Sequence, residues 1–475
     1  MKIEQIYTGC LAQGAYYIES NGEVAIIDPL REVQQYVDKA NKDHATIKYI
    51  FETHFHADFV SGHVTLAEKT GAPIVYGPNA NPTFNAHIAT DGEVFQLGNI
   101  TITALHTPGH TMESTTYLLK DENGKDHAIF TGDTLFLGDV GRPDLAQKAA
   151  NLTQEQLAAT LYHSLRDKIM PLADDVIVYP AHGAGSACGK NLSKETVGTL
   201  GDQKQTNYAL RADMTEAEFV KEVTDGLLPP PAYFPLNVKL NKEGYDNVEH
   251  IIEKNQPLTP DAFETLAEES DALLLDVRSA ADFAQGHIPG SIFIGLDGQF
   301  APWVGALITD IKQPILIIAP EGREQECIIR LSRVGYDNSL GYLAGGFTAW
   351  KNAGKEYDTV QQVTATELES AMNTGDITIF DVRKPGEYNA AHIAYKNVNH
   401  TPLDFLNDHL AEFPTTGNFY IHCAGGYRSL IAASILKARG YHNMIDVIGG
   451  FGAIKNTGIS LADNSCTSTC SSNLK

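Results

Sequence analysis

Cysteine is scarce: six in 475 residues. That is too few to cross-link a chain of this length and excludes a disulfide-built secreted scaffold. Positive charge is also in deficit, with 35 Lys and Arg against 59 Asp and Glu and a formal net charge of -24. Such a surface repels polyanions, so neither nucleic acid nor an anionic membrane is expected as a partner. No apolar run approaches the roughly 20 residues that span a bilayer. The start Met1-Lys2-Ile3-Glu4-Gln5 lacks the apolar core of a secretory signal. A cytoplasmic location is expected. The length suits about three domains, each large enough to bury a core.

What the chain does contain begins with Thr53-His54-Phe55-His56-Ala57-Asp58-Phe59, directly after the apolar run 47–51. Two histidines two residues apart leave a strand end and converge on one point from a backbone held by a sheet, which is how a rigid metal site is built. A second metal would look to Asp58 and the residue after it, yet that residue is Phe59, with no lone pair to give. The site reads as mononuclear. His110 after the alternating run 100–105, Asp133 after 127–130 and His182 after 176–179 repeat the strand-end placement. One histidine at a strand end is more often structural. Four such signals, in chain order and within about one domain length, reverse that reading.

This pattern resembles the metallo-β-lactamase fold superfamily, whose metal motif is His-x-His-x-Asp-His followed by distant His, Asp and His; Phe59 is the departure. The resemblance covers residues 1 to about 250. Within the superfamily the likeness is to the persulfide dioxygenases, relatives of the glyoxalase II hydrolases. It implies a sandwich of two sheets flanked by helices and one non-haem Fe(II), mononuclear, held by His54, His110 and Asp133. His56, Asp58 and His182 would line the pocket without ligating. Two imidazoles and one carboxylate leave positions open for substrate sulfur and dioxygen, as non-haem iron(II) oxygenases require. A two-zinc hydrolase needs both ligand sets, and Phe59 removes a donor from the second.

Two nearby features have two readings each. Arg142 in Gly141-Arg142-Pro143-Asp144 either forks onto a carboxylate-bearing substrate, as the resemblance implies, with Asp144 beside it, or pairs structurally with Asp144. Cys188, on the glycine-rich stretch 183–190 after His182, either accepts a sulfur atom with Lys190 lowering its pKa, or is a small loop residue. The tyrosine that simple dioxygenases carry two residues after the last histidine is Ala184 here, so any bond it gives is absent or comes from elsewhere.

The second half repeats itself. Leu275-Asp276-Val277-Arg278 recurs as Phe380-Asp381-Val382-Arg383, Gly286-His287-Ile288 as Ala391-His392-Ile393, and Gly345-Gly346-Phe347 as Gly449-Gly450-Phe451. Short apolar runs alternate with amphipathic stretches, the mark of a parallel sheet with helices around it. Both copies resemble the rhodanese sulfurtransferase module, but only the second has its cysteine loop, Cys423-Ala424-Gly425-Gly426-Tyr427-Arg428. That loop stands between a strand and a helix start, where backbone N–H groups, the helix N-terminus and Arg428 stabilise a thiolate or persulfide on Cys423. Gly425 and Gly426 are expected to let the backbone approach a ligand closely. Aligned on its arginine, the first copy puts Ile318 in the place of Cys423. Cys327, four residues past Arg323, lies on the presumed helix and is a poor substitute.

The expected fold is therefore multidomain α/β and α+β: a metallo-β-lactamase αββα sandwich followed by two rhodanese-like α/β domains. Residues 1–250 form the first with its connector, in which 229–231 and 239–246 read as linker. Residues 256–356 form a degenerate rhodanese, 357–463 the active one, and 464–475 a polar tail whose Cys466 and Cys470 read as frayed rather than as a redox pair. The expected activity is oxidation of low-molecular-weight thiol persulfides (of glutathione, coenzyme A or bacillithiol type) by dioxygen to sulfite. Transfer of a second sulfane sulfur through Cys423 then gives thiosulfate. A homo-oligomer is expected. The rival readings are a dizinc glyoxalase II-like thioester hydrolase fused to rhodanese, and a non-oxidising sulfur carrier.

Overall fold

The computed structural model describes residues 1–463; Cys466 and Cys470 lie outside them. The described residues divide into two compact units, 1–250 with 329–337, and 251–328 with 338–463. Among the described residues no helix is long and apolar enough to cross a membrane.

The first unit is built on two six-stranded sheets. One runs in chain order through Lys2–Thr8, Gln13–Ser20, Glu23–Ile27, Thr46–Phe51, Ile74–Tyr76 and His87–Ile88; the other runs in reverse order from Gly198–Thr199 to Val94–Leu97. Alternation drives the pairing. In Ile100–His106 the side chains of Ile100, Ile102 and Ala104 are buried while those between them are half-buried, because successive residues of a strand face opposite ways. Those inward residues pack with Phe130 and Tyr117 against Tyr16, Ile27 and Phe51 of the other sheet, giving the core of a sandwich. Helices Gln34–Lys42 and His63–Thr70 cover the outer face of the first sheet through Tyr36 and Leu66. Helices Gln154–Ser164 and Glu216–Thr224 cover the second through Leu161 and Phe219. The expected αββα order is present.

The polar stretch read as a connector is not one. Phe234–Glu243 is a helix, with Asn237 and Asn241 fully buried and Val238 packed on the cluster of Phe55, Ile74 and Tyr76. Its polarity misled because Asn241 faces backbone rather than water. Its side chain accepts from the Ser61 N–H at 2.8 Å and donates to the carbonyls of His56 and Phe59, both at 2.8 Å. Asn241→Ala should therefore leave one donor and two acceptors unpaired in the interior. The expected cost is on the order of 3 kcal/mol, read as a lower denaturation midpoint.

The second unit contains two five-stranded sheets of identical order. They run Pro257–Leu258, Ser339–Leu343, Ile315–Ile318, Leu273–Asp276, Ile292–Phe293, and then Gln362–Val363, Met444–Val447, Phe419–His422, Thr378–Asp381, Val398–His400. Every pairing within them is parallel. The repeated Asp-Val-Arg is a structural clip in both copies. Arg278 bonds Asp276 and the Gly286 carbonyl and lies 4.2 Å over Phe347. Arg383 does the same with Asp381, the Ala391 carbonyl and Phe451, at 3.8 Å.

The ladder also corrects one alignment. Asp276 pairs with Ile318 and Asp381 with His422, so the residue in the place of Cys423 is Ala319, one beyond Ile318. Counting back from the arginine missed this because the first copy's loop is one residue shorter. The conclusion is unchanged, since a methyl group carries no sulfur.

Candidate functional site

Strand ends assemble the first site. Ile27 and Phe51 are parallel partners, so Asp28 and Thr53 leave the sheet side by side. The Asp28 carboxylate accepts from the Thr53 N–H and hydroxyl, both at 2.8 Å. Asp28 holds a left-handed φ of 50° to do so. Gly132 and Pro180 are likewise parallel partners, which sets Asp133 next to His182.

The structure brings His54, His110 and Asp133 together, with one donor atom from each within 4.8 Å of the others. Asp133 Oδ2 stands 3.2 Å from His110 Nε2 and 3.8 Å from His54 Nε2, while Oδ1 faces His182 Nε2 at 3.5 Å. The remaining ring nitrogens are held by oxygens. His54 Nδ1 meets Thr53 Oγ1 at 3.0 Å, His110 Nδ1 the Arg142 carbonyl at 2.9 Å, and His182 Nδ1 the Ala12 carbonyl at 3.2 Å. With Nδ1 donating, each Nε2 keeps its lone pair for the centre, as outer partners of metal-binding histidines do. Burial and the charges of His56, His110 and His182 pull His54 well below the usual imidazole range, which keeps it neutral.

Both oxygens of Asp133, Asp58 Oδ1 and His182 Nε2 are buried without a hydrogen-bond partner. Unpaired buried carboxylate oxygens are costly. A cation would satisfy them, so the donor set fits a metal ion. His56, Asp58 and His182 form a second group of donors. His56 also faces Asp28 at 3.1 Å and Glu52 at 3.6 Å. Burial opposes its charge, yet Asp28, with Glu52 and Asp58, raises it to about 9. Phe59 is fully buried, its ring 4.4 Å from that of His56.

The Arg142 side chain is held by the protein. Its guanidinium donates to both Asp144 oxygens at 2.7 Å, to the Leu228 carbonyl at 2.5 Å and to that of Ala187 at 3.3 Å. The pairing with Asp144 is thus observed, and the Arg142 backbone carbonyl faces His110 Nδ1. The preceding Gly141 is required by close approach: a Cβ there would stand 2.0 Å from the Asp133 carbonyl oxygen. Cys188 is buried, its sulfur grouped within 4.8 Å of donor atoms of Asp133 and His182. The expectation for Lys190 is corrected. Its ammonium donates to the carbonyls of Glu222 and Asp225 at 2.5 and 2.8 Å, while burial and the carboxylates of Asp58 and Asp133 push the thiol up. A cavity of about 190 Å³ opens beside His110, lined among others by Phe55, Met112, Glu113, Val238 and Lys242. Lys242, within the stretch read as linker, is a cation on that wall.

The second site surrounds Cys423, which ends the strand Phe419–His422 and precedes the helix Tyr427–Ala438. The Gly426 N–H donates to Cys423 Sγ at 3.1 Å. Gly426 has φ +100°, a backbone conformation that by itself accounts for the glycine. Gly425 has no protein atom near its missing side chain and lines an open cavity with Cys423 and Arg428. Arg428 forks onto Glu387 at 2.6 and 2.8 Å. Glu387 went unnoticed in the sequence, where it is one acid among many.

The family model of the metallo-beta-lactamase superfamily matches residues 8–182, and that of the rhodanese-like domain matches 259–353 and 364–457. The chain belongs to the metallo-beta-lactamase superfamily and carries two rhodanese-like domains after that fold. Over 221 residues it is 30% identical to the mitochondrial persulfide dioxygenase of Bos taurus, covering 46% of this chain and 78% of that one. Over 187 residues it is 32% identical to the cytoplasmic hydroxyacylglutathione hydrolase of Arabidopsis thaliana, covering 38% and 67%. The crystal structure of a metallo-beta-lactamase from Staphylococcus aureus subsp. aureus COL superposes with a TM-score of 0.63 at 32% identity, covering 72% of this chain and 98% of that one.

Proposed function

We propose that the first domain is a persulfide dioxygenase with one Fe(II) held by His54, His110 and Asp133, and that the second rhodanese copy is a sulfurtransferase working through Cys423. The observation that carries this reading is the buried two-imidazole, one-carboxylate set, with unpaired oxygens on Asp133, in one chain with a cysteine seated at a helix N-terminus. Iron(II) bound there would supply oxygen chemistry at the positions such a ligand set leaves open.

The chain's own residues shape the rest. Thr53 and the carbonyls of Arg142 and Ala12 hold the imidazole protons away from the centre. Phe59 excludes water from the side of His56, and Lys242 offers an anionic persulfide a local cation against the chain's overall negative field. Cys188, grouped with Asp133 and His182, stays a protonated thiol beside the centre, since burial and the carboxylates of Asp58 and Asp133 oppose its thiolate. The net oxidation is RSSH + O2 + H2O → RSH + SO3²⁻ + 2H⁺. Sulfite then attacks the outer sulfur of a persulfide on Cys423, that S–S bond breaks, and thiosulfate leaves with the Cys423 thiolate restored. Carrying both sites on one chain raises the effective concentration of sulfite at the second.

A dizinc thioester hydrolase is the second reading, favoured by the additional donor group His56, Asp58 and His182. Metal content and oxygen uptake separate the two. Iron-loaded protein should hold about one iron per chain and consume oxygen when glutathione persulfide is added. Two tightly bound zincs per chain would sink the iron reading. Silence with every small persulfide tried would leave a sulfur carrier.

A further inference from the structure

The cavity beside Cys423 has a volume of about 410 Å³, and its wall is drawn from both rhodanese copies: Gln299 and Trp303 from the first, Lys384, Glu387 and Arg428 with the cysteine loop from the second. The juxtaposition is built, not incidental. Tyr427, inside the cysteine loop, donates its hydroxyl to the Gly295 carbonyl at 2.7 Å and sets its ring edge-on to Phe293 at 5.7 Å. The same ring lies so close on Gly298 that a Cβ there would stand 2.3 Å from it. The Phe293 N–H also donates to Ser434 Oγ at 2.9 Å, on the helix that starts at Tyr427. The first copy thus grips the active loop immediately before it presents Gln299 and Trp303.

We infer that the first copy, which has Ala319 where a nucleophile would stand, sets the specificity of Cys423 for an organic, carboxylate-bearing thiol persulfide over an inorganic sulfur donor. The inference rests on the reading of Cys423 as a sulfur carrier. Sulfite and thiosulfate need only a small polar notch. A volume of about 410 Å³ falls instead in the range of roughly 300–1,000 Å³ typical of pockets for small organic molecules. The indole of Trp303, 4% exposed on the apolar helix Phe300–Leu307, offers a fixed flat face to an apolar segment. Gln299 can both donate to and accept from an amide, and the Lys384 ammonium can pair with a carboxylate. Arg428, already forked onto Glu387, keeps that end of the pocket near neutrality, so the ligand's charge is directed to Lys384. In the transfer itself the Cys423 thiolate attacks the outer sulfur of RSSH and a Cys423–S bond forms. The R–S–SH bond breaks with its electron pair on RS⁻, which takes the proton from the new persulfide. No oxidant is required.

The test uses the full chain and reads transfer to cyanide from two donors, glutathione persulfide and thiosulfate. Gln299→Ala and Trp303→Ala should each raise KM for glutathione persulfide about tenfold, with kcat and the KM for thiosulfate within twofold of the parent. Because Trp303 is buried, Trp303→Phe serves as its folded control and should restore part of the lost affinity. An equal rise in both KM values, or no change in either, overturns the inference. Cys423→Ser distinguishes failure of the underlying reading: transfer from both donors should vanish, and its persistence would mean that Cys423 is not the carrier.

Discussion

Asp133→Asn is expected to leave a folded protein that no longer retains a metal ion at the first site. Asp133 sits among three of that site's histidines, with Oδ2 toward His110 and His54 and Oδ1 toward His182. Neither oxygen has a protein donor. Removing the charge while keeping the shape should lower metal content to under a tenth of the parent's, since a site binds only through deprotonated, correctly held ligands. Oxygen uptake with glutathione persulfide should fall with it. The stability change has a sign that a merely structural aspartate would not give. An uncompensated buried carboxylate is a cost to the metal-free fold, so the variant without metal should melt no lower than the parent without metal. Added metal should raise the parent's melting temperature by mass action and leave the variant's unmoved. Equal metal-induced shifts in both proteins would overturn the assignment of Asp133.

Cys423→Ser should separate the two reactions proposed for the chain. Sulfite release is expected to continue, while thiosulfate should fall to about a hundredth of the parent yield or below, because a serine hydroxyl cannot store sulfane sulfur and the nucleophilic step is lost outright. The replacement is close to isosteric and keeps an acceptor for the Gly426 N–H, which now bonds the sulfur at 3.1 Å, so the loop has no reason to rearrange. The pairing of Arg428 with Glu387 should persist too. Sulfite and thiosulfate measured in the same reaction decide the matter: an unchanged thiosulfate yield would refute the role given to Cys423.

Much of the candidate chemistry was legible because its signals are local. His54, His110, Asp133 and His182 each follow a strand whose apolar pattern is visible in a few residues, and the repeat declared itself in matched Asp-Val-Arg and Gly-Gly-Phe segments. What failed did so for reasons of distance along the chain. Asn241 looked like linker because its partners, His56, Phe59 and Ser61, lie some 180 residues earlier. Of the two readings of Arg142, the pairing with Asp144 lies in its own neighbourhood, but the carbonyls of Ala187 and Leu228 that also engage it cannot be read from there. Lys190 looked able to activate Cys188 by proximity, yet its side chain runs to Glu222 and Asp225.

The division follows from how each kind of information is encoded. By itself the sequence determined which atoms can do chemistry: imidazoles and a carboxylate at strand ends, one cysteine in a glycine-rich loop before a helix, and an alkyl residue in the matching place of the first copy. These depend on residue type and short-range periodicity, which survive in one dimension. Only the tertiary structure decided which of those atoms are free to act. A donor's availability depends on what the rest of the chain already bonds to it, and hydrogen bonds between residues far apart in sequence leave no mark on the pattern around either one.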